Sequence, residues 1–181
     1  MKHLAVLFFV CAAALTSAQT PGIDAALLAK ANAGDAAAQV SVGEKYAAGT
    51  NVPQDLKQAV DWYRKAAAQG NASAEIHLAD AYRDGRGTPR DTALAAQWYR
   101  KAADQGDPSA QGTLAMLYML GQGVPQSDME AYYWFDLAAA ADTPRKQQYI
   151  TNRQNVGTRI TTDELAQLQE RAAQWKAAHK R

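Results

Sequence analysis

The chain has 181 residues, a length that suits about one ordinary domain and excludes a large multidomain machine. Forty alanines against 12 glycines and 6 prolines favour helix, because Ala gives up almost no side-chain entropy there, and exclude a collagen-like or disordered chain. A formal net charge of +1 supplies no bulk attraction for nucleic acid or anionic lipid, so no nucleic-acid partner is expected.

Residues 1–18 predict a secretory signal peptide. Lys2 and His3 form a short polar start, Leu4 to Leu15 an apolar stretch, and Thr16-Ser17-Ala18 a small-residue cleavage site. The apolar stretch is too short to stay in a bilayer, so no stable membrane insertion is expected after cleavage. Cys11, the only cysteine, lies inside this leader, and Val10 before it is unlike the small residue that a lipidation site requires. A periplasmic or secreted protein with no disulfide is expected.

Three units with a period of 36 residues follow. Trp62, Trp98 and Trp134 keep that interval, as do Tyr46, Tyr82 and Tyr118, Gly49, Gly85 and Gly121, and Pro53, Pro89 and Pro125. Apolar residues at spacings of 3 and 4 predict two amphipathic helices per unit, for example Ile76, Leu78, Ala79 and Tyr82, then Leu94, Ala95, Trp98 and Tyr99. Between units, Gly34, Gly70 and Gly106 suit a left-handed helix end, and Asp35, Asn71 and Asp107 suit the next N-cap. Within units the turn carries Gly49 to Pro53, Gly85 to Pro89 or Gly121 to Pro125, with Asp55, Asp91 or Ser127 as the following N-cap. Paired alanines such as Ala66-Ala67 and Ala102-Ala103 mark close helix approach, and the repeated aromatics are expected to fill the core.

The expected organisation is a leader over 1–18, an N-terminal half-repeat over 19–35, three repeats over 36–143 and a C-terminal helix pair over 144–181. In the half-repeat Ala26 and Leu27 replace the Trp-Tyr pair. After the third unit Asp142 replaces the turn glycine, and Thr143-Pro144 predict a helix start with N-cap and N1 chemistry running to about Asn155. Thr161 to Glu164 predict a capping box before a last helix to about Trp175.

The pattern of an A-x-x-x-L-G-x-x-Y helix, a G-x-G-V turn and a D-x-x-x-A-x-x-W-Y-x-K-A-A-x-x-G helix resembles the Sel-one-like repeat family, a relative of the tetratricopeptide repeats. Departures are small: Ala79 and Ala115 stand where the first unit has Gly43, and Leu137-Ala138-Ala139 replaces the Lys-Ala-Ala run. The resemblance implies an all-α fold, a right-handed α-solenoid of stacked helix-turn-helix repeats with terminal capping helices. It also implies a concave face that serves as a scaffold for protein partners.

Candidate chemistry is sparse. Beyond the leader there is no Cys, and His77 and His179 are the remaining histidines. Neither sits in a metal-ligand spacing, so no enzyme, metal or cofactor is expected. By analogy with tetratricopeptide grooves, a protein or peptide partner is expected to meet Val40, Glu44 and Ala47, then Ile76, Asp80 and Arg83, then Gly112, Met116 and Met119. Met116 and Met119 fit either a soft binding patch or the core. The alternatives are an envelope module binding peptidoglycan or exopolysaccharide through aromatic rings, and a hydrolase like the penicillin-interacting repeat proteins. Filled core slots for the rings weaken the former, and the missing cysteines weaken the latter.

Overall fold

Oxygen-bearing side chains start most of the helices. In the computed structural model, which describes residues 22–179, Asp35, Asn71 and Asp107 accept from the amides of Ala38, Ala74 and Ala110 at 2.7, 3.0 and 2.8 Å. These open α2 (Ala36–Ala48), α4 (Ala72–Asp84) and α6 (Pro108–Leu120), the first helices of the three units. Asp55, Asp91 and Ser127 do the same for α3 (Leu56–Ala67), α5 (Thr92–Asp104) and α7 (Asp128–Ala140). Each such cap contributes about 1 kcal/mol. A shorter α1 (Ala25–Asn32) precedes them, and α8 (Lys146–Gly157) and α9 (Thr162–Ala178) follow. Among the described residues there are nine helices and no strand. The proposed leader lies outside the described residues.

Each helix packs against its neighbours in sequence, from α1 on α2 through to α7 on α8. Alanine makes this possible: Ala66, Ala74, Ala79, Ala95, Ala102 and Ala110 are fully buried, so adjacent helices approach without bulk between them. Stacked helix pairs of this kind form an all-α solenoid whose core runs along its length.

The turn inside each unit explains its glycines in two ways. Gly49, Gly85 and Gly121 take left-handed φ of +69°, +70° and +66°, where a Cβ is disfavoured. Two residues on, Asn51, Gly87 and Gly123 also have positive φ. A Cβ on Gly87 would lie 2.1 Å from the Leu56 carbonyl oxygen, and one on Gly123 2.1 Å from that of Thr92. The turns of units two and three therefore rest on the start of the preceding unit's second helix.

The C-terminal end departs from expectation. α8 begins at Lys146 with no side-chain cap, and the Thr143 hydroxyl makes no hydrogen bond, so Thr143 does not supply the expected N-cap. Only the Thr143 carbonyl contributes, accepting from the Lys146 amide at 3.0 Å. α9 has the expected capping box, with the Thr161 amide donating to Glu164 at 2.9 Å, and it runs on to Ala178. α9 turns back to lie against α7, where Arg171 pairs with Glu130 at 2.5 Å and Lys176 with Asp136 at 2.7 Å. Arg153 from α8 reaches the same Asp136.

The repeated tryptophans are not equivalent. Trp134 is 1% exposed, whereas Trp62 and Trp98 are half-buried with Lys65 and Lys101 lying over their rings at 3.9 and 3.8 Å. The expectation that every repeated ring fills the core is corrected on this point. Leu137 takes the lysine register in unit three and is buried in the same core as Leu168 and Ala172 of α9. Where α9 covers the outer helix, an apolar side chain replaces the cation.

Candidate partner-binding groove

The first helices of adjacent units touch along one face. His77 on α4 lies 3.2 Å from Glu44 on α2 and stacks on the Tyr63 ring with centroids 4.7 Å apart. At the other end, Asn152 on α8 donates to the Met116 sulfur on α6 at 3.6 Å. This face is built from α2, α4, α6 and α8 in turn.

Its chemistry changes along its length. The register occupied by Glu44 and Asp80 in units one and two is Met116 in unit three. The facing ring on the second helix changes with it, from Tyr63 and Tyr99 to Phe135. In the middle unit the buried Tyr99 hydroxyl donates to Asp80, and Arg83 donates to Tyr99, to Asp80 at 2.8 Å and to Asp84 at 2.8 Å. Burial, reinforced by the bond to Asp80, pushes the Tyr99 phenol far above its ordinary range. Burial, with the Glu44 carboxylate adding to it, pushes Tyr63 up to about 12. The Arg83 pairing holds the Asp84 carboxyl below its ordinary range. Both phenols are therefore neutral hydrogen-bonding groups at physiological pH.

A cavity of about 130 Å³ opens between units one and two, lined by Ala47, Val60, Tyr63, His77, Asp80 and Arg86 among others. A second, of about 120 Å³, lies between units three and α8, beside Gly112, Met116, Tyr149 and Asn152. Gly112 occupies the register of Val40 and Ile76, and the Tyr149 ring fills the space their side chains would take, since a Cβ on Gly112 would lie 2.3 Å from it.

The predicted contact residues divide by burial. Val40 is 7% exposed and packs in the core with Val60 and Tyr63, so it is corrected from a partner contact to a core residue. Gly112 is likewise buried, under Tyr149. Glu44 is exposed, and Asp80 and Arg83 are half-buried at the groove. Ile76, Met116 and Met119 are half-buried and pack on the core while keeping part of their surface open. Sequence reasoning missed Leu120, which at 53% is the exposed large hydrophobic side chain among the described residues. Its register, shared with Ala48 and Asp84, carries no periodic signal that could have found it.

No group of three or more His, Cys, Asp or Glu among the described residues could hold a metal ion, and no described helix is long and apolar enough to cross a membrane. His77 is held between Glu44 and Tyr63 in the groove wall.

Repeated helix pairs with one mixed polar and apolar face define a helical-repeat scaffold. The chain belongs to the Sel1 repeat family, whose model matches residues 36–71, 72–107 and 108–142. Proteins of this family are helical-repeat scaffolds for protein interaction and are generally non-catalytic. It is similar to the crystal structure of c5321, a protective antigen of uropathogenic Escherichia coli strains displaying an SLR fold. That match has 34% identity and a TM-score of 0.73, and covers 83% of this chain and 32% of that one. It is also similar to a Sel1 repeat protein from Oxalobacter formigenes, with 32% identity, a TM-score of 0.65, and coverage of 70% of this chain and 96% of that one. The chain thus spans about a third of the length of the first of these. No curated protein matches the sequence.

Proposed function

We propose that the chain is an exported, non-catalytic adaptor that holds a protein or peptide partner along the concave face of α2, α4 and α6. The observation that carries this reading is Leu120, a large apolar side chain left open at the end of a face that also offers Met116 and Met119. A soft apolar patch beside the Glu44, Asp80 and Arg83 charges suits a segment with both kinds of side chain. Ile76 supplies apolar surface between them. The leader composition supports export to the periplasm or beyond.

A saccharide-binding role draws on Trp62 and Trp98, whose rings are half-exposed on the second helices, although each already carries a lysine over one face. One experiment separates the readings. The chain is recovered from the envelope fraction, where the adaptor reading expects it to begin at Gln19, and its bound partner is measured. Glu44→Lys with Leu120→Glu should reduce capture at least about tenfold with the helical circular-dichroism signal unchanged. Trp62→Ala with Trp98→Ala should leave capture intact. The reverse pattern, or unchanged capture in the groove variant, would overturn the adaptor reading.

A further inference from the structure

Three positions one period apart carry buried polar side chains: Gln39, Glu75 and Gln111. Each sits in the first turns of a unit's first helix, against the end of the preceding unit's second helix. The Gln39 amide donates to the Ala31 carbonyl at 3.1 Å, and the Gln111 amide to the Ala103 carbonyl at 3.2 Å. These are ties between successive units. Gln39 also accepts from Gln69 of its own unit at 2.9 Å, so it links three helix segments.

The middle position differs by one atom. Glu75 is 3% exposed and accepts from Gln105 at 2.8 Å, the bond that Gln69 makes to Gln39. The matching carbonyl on the preceding unit is that of Ala67. It accepts from the Gly70 amide at 3.0 Å, as Ala31 and Ala103 accept from Gly34 and Gly106 at 3.1 and 3.0 Å. The local backbone is therefore the same at all three joints, and only the donor is missing. An ionised carboxylate has no proton to give, and burying it without a full set of donors is costly.

We propose that Glu75 is a pH-dependent tie between units one and two: when protonated, its hydroxyl donates to the Ala67 carbonyl, as the Gln39 and Gln111 amides do at the other joints. The Gln105 amide remains on the other carboxyl oxygen in both states. Above the titration the joint lacks this bond and keeps its other contacts, among them Glu44 with His77 and Arg64 with Tyr82; below it all three joints carry the same bond. Glu75 adjoins Ile76 and His77, so the joint that tightens is the one beneath the groove cavity between units one and two.

The charges that act on Glu75 come from α5. Lys101 and Asp104 face it from α5 and act in opposite directions. From α3, Lys65 lies over Trp62 and Arg64 is turned to Asp61 and Tyr82, leaving the uncharged turn Ala66 to Gln69 at the joint. Burial is the largest influence and holds the Glu75 carboxyl above its ordinary range. The sign follows. A raised folded-state value penalises folding above that value, and the penalty disappears as pH falls below the ordinary glutamate range.

Thermal unfolding of the full chain tests this with two variants at about pH 8 and about pH 4. Glu75→Gln should raise the melting temperature by about 2–4 °C at the higher pH and leave it unchanged at the lower. Gln111→Glu should import the same behaviour into unit three, lowering the melting temperature at high pH and matching the parent at low pH. The Glu75 carboxyl carbon, followed by NMR, should titrate above the ordinary range. A Glu75→Gln difference that is equal at both pH values, or an ordinary titration of Glu75, would overturn the proposal.

Discussion

Trp134→Ala should destabilise the chain by about 3–5 kcal/mol, a large share of the ~5–15 kcal/mol that holds a domain folded. The ring is 1% exposed, its Nε1 donates to Glu130 at 3.1 Å, Arg100 lies 4.9 Å from its centroid and Tyr133 meets its edge. Removing it leaves a cavity and takes one donor from Glu130, which keeps Arg171 of α9 as a partner. Trp98→Ala should cost only roughly 1–2 kcal/mol, because that ring is half-buried and the Lys101 stem can settle into part of the space. Urea unfolding followed by circular dichroism measures both. Equal costs for the two would show that the difference in burial does not set the cost.

Gly87→Asn should cost more than about 2 kcal/mol, whereas Asn51→Gly should change stability by no more than about 0.5 kcal/mol. The two positions share a register and nearly the same φ, +74° and +62°. Asparagine tolerates that φ, as Asn51 itself shows, so backbone strain is not the difference. The difference is the Leu56 carbonyl, 2.1 Å from where the new Cβ would lie. Backbone cannot retreat as the end of a flexible side chain can, so the turn must lift away from the preceding unit and open the joint. Thermal melts of the pair isolate that contact. Two variants with matching melting temperatures would leave φ alone as the reason for glycine.

These two cases mark what the sequence discloses and what it withholds. The 36-residue period, the N-caps at Asp35, Asn71 and Asp107, and the Thr161 capping box are local chemistry, and each is legible because it depends on residues a few positions apart. Gly87 is legible as a turn residue, but its second role depends on Leu56, which comes from the preceding unit. The same limit applies at the groove. Val40 and Met116 both lie on predicted groove stripes, yet one is buried and the other half-open, because neighbouring units decide how far each helix is covered.

Some of that tertiary information was nevertheless present as breaks in the repeat. Lysine at 65 and 101 becomes Leu137 where α9 lies against α7, and arginine at 64 and 100 becomes Asp136, which receives Arg153 and Lys176 from the two terminal helices. The glutamate at 75 between two glutamines is a break of the same kind. In a repeat protein the exceptions to the period are where a unit meets something that its siblings do not, or loses a bond that they keep.

The face of α2, α4 and α6 is the proposed partner surface. Photo-activated cross-linking side chains placed on that face at Leu120 or at Thr113, which lines the cavity beside Met116 and Tyr149, and at Gln58 or Gln97 on the second helices, test this in cells that express the full chain. A cross-linked adduct of one defined mass is expected from Thr113 and Leu120, and none from Gln58 and Gln97. Adducts from the second helices, or no adduct from the groove positions, would contradict it.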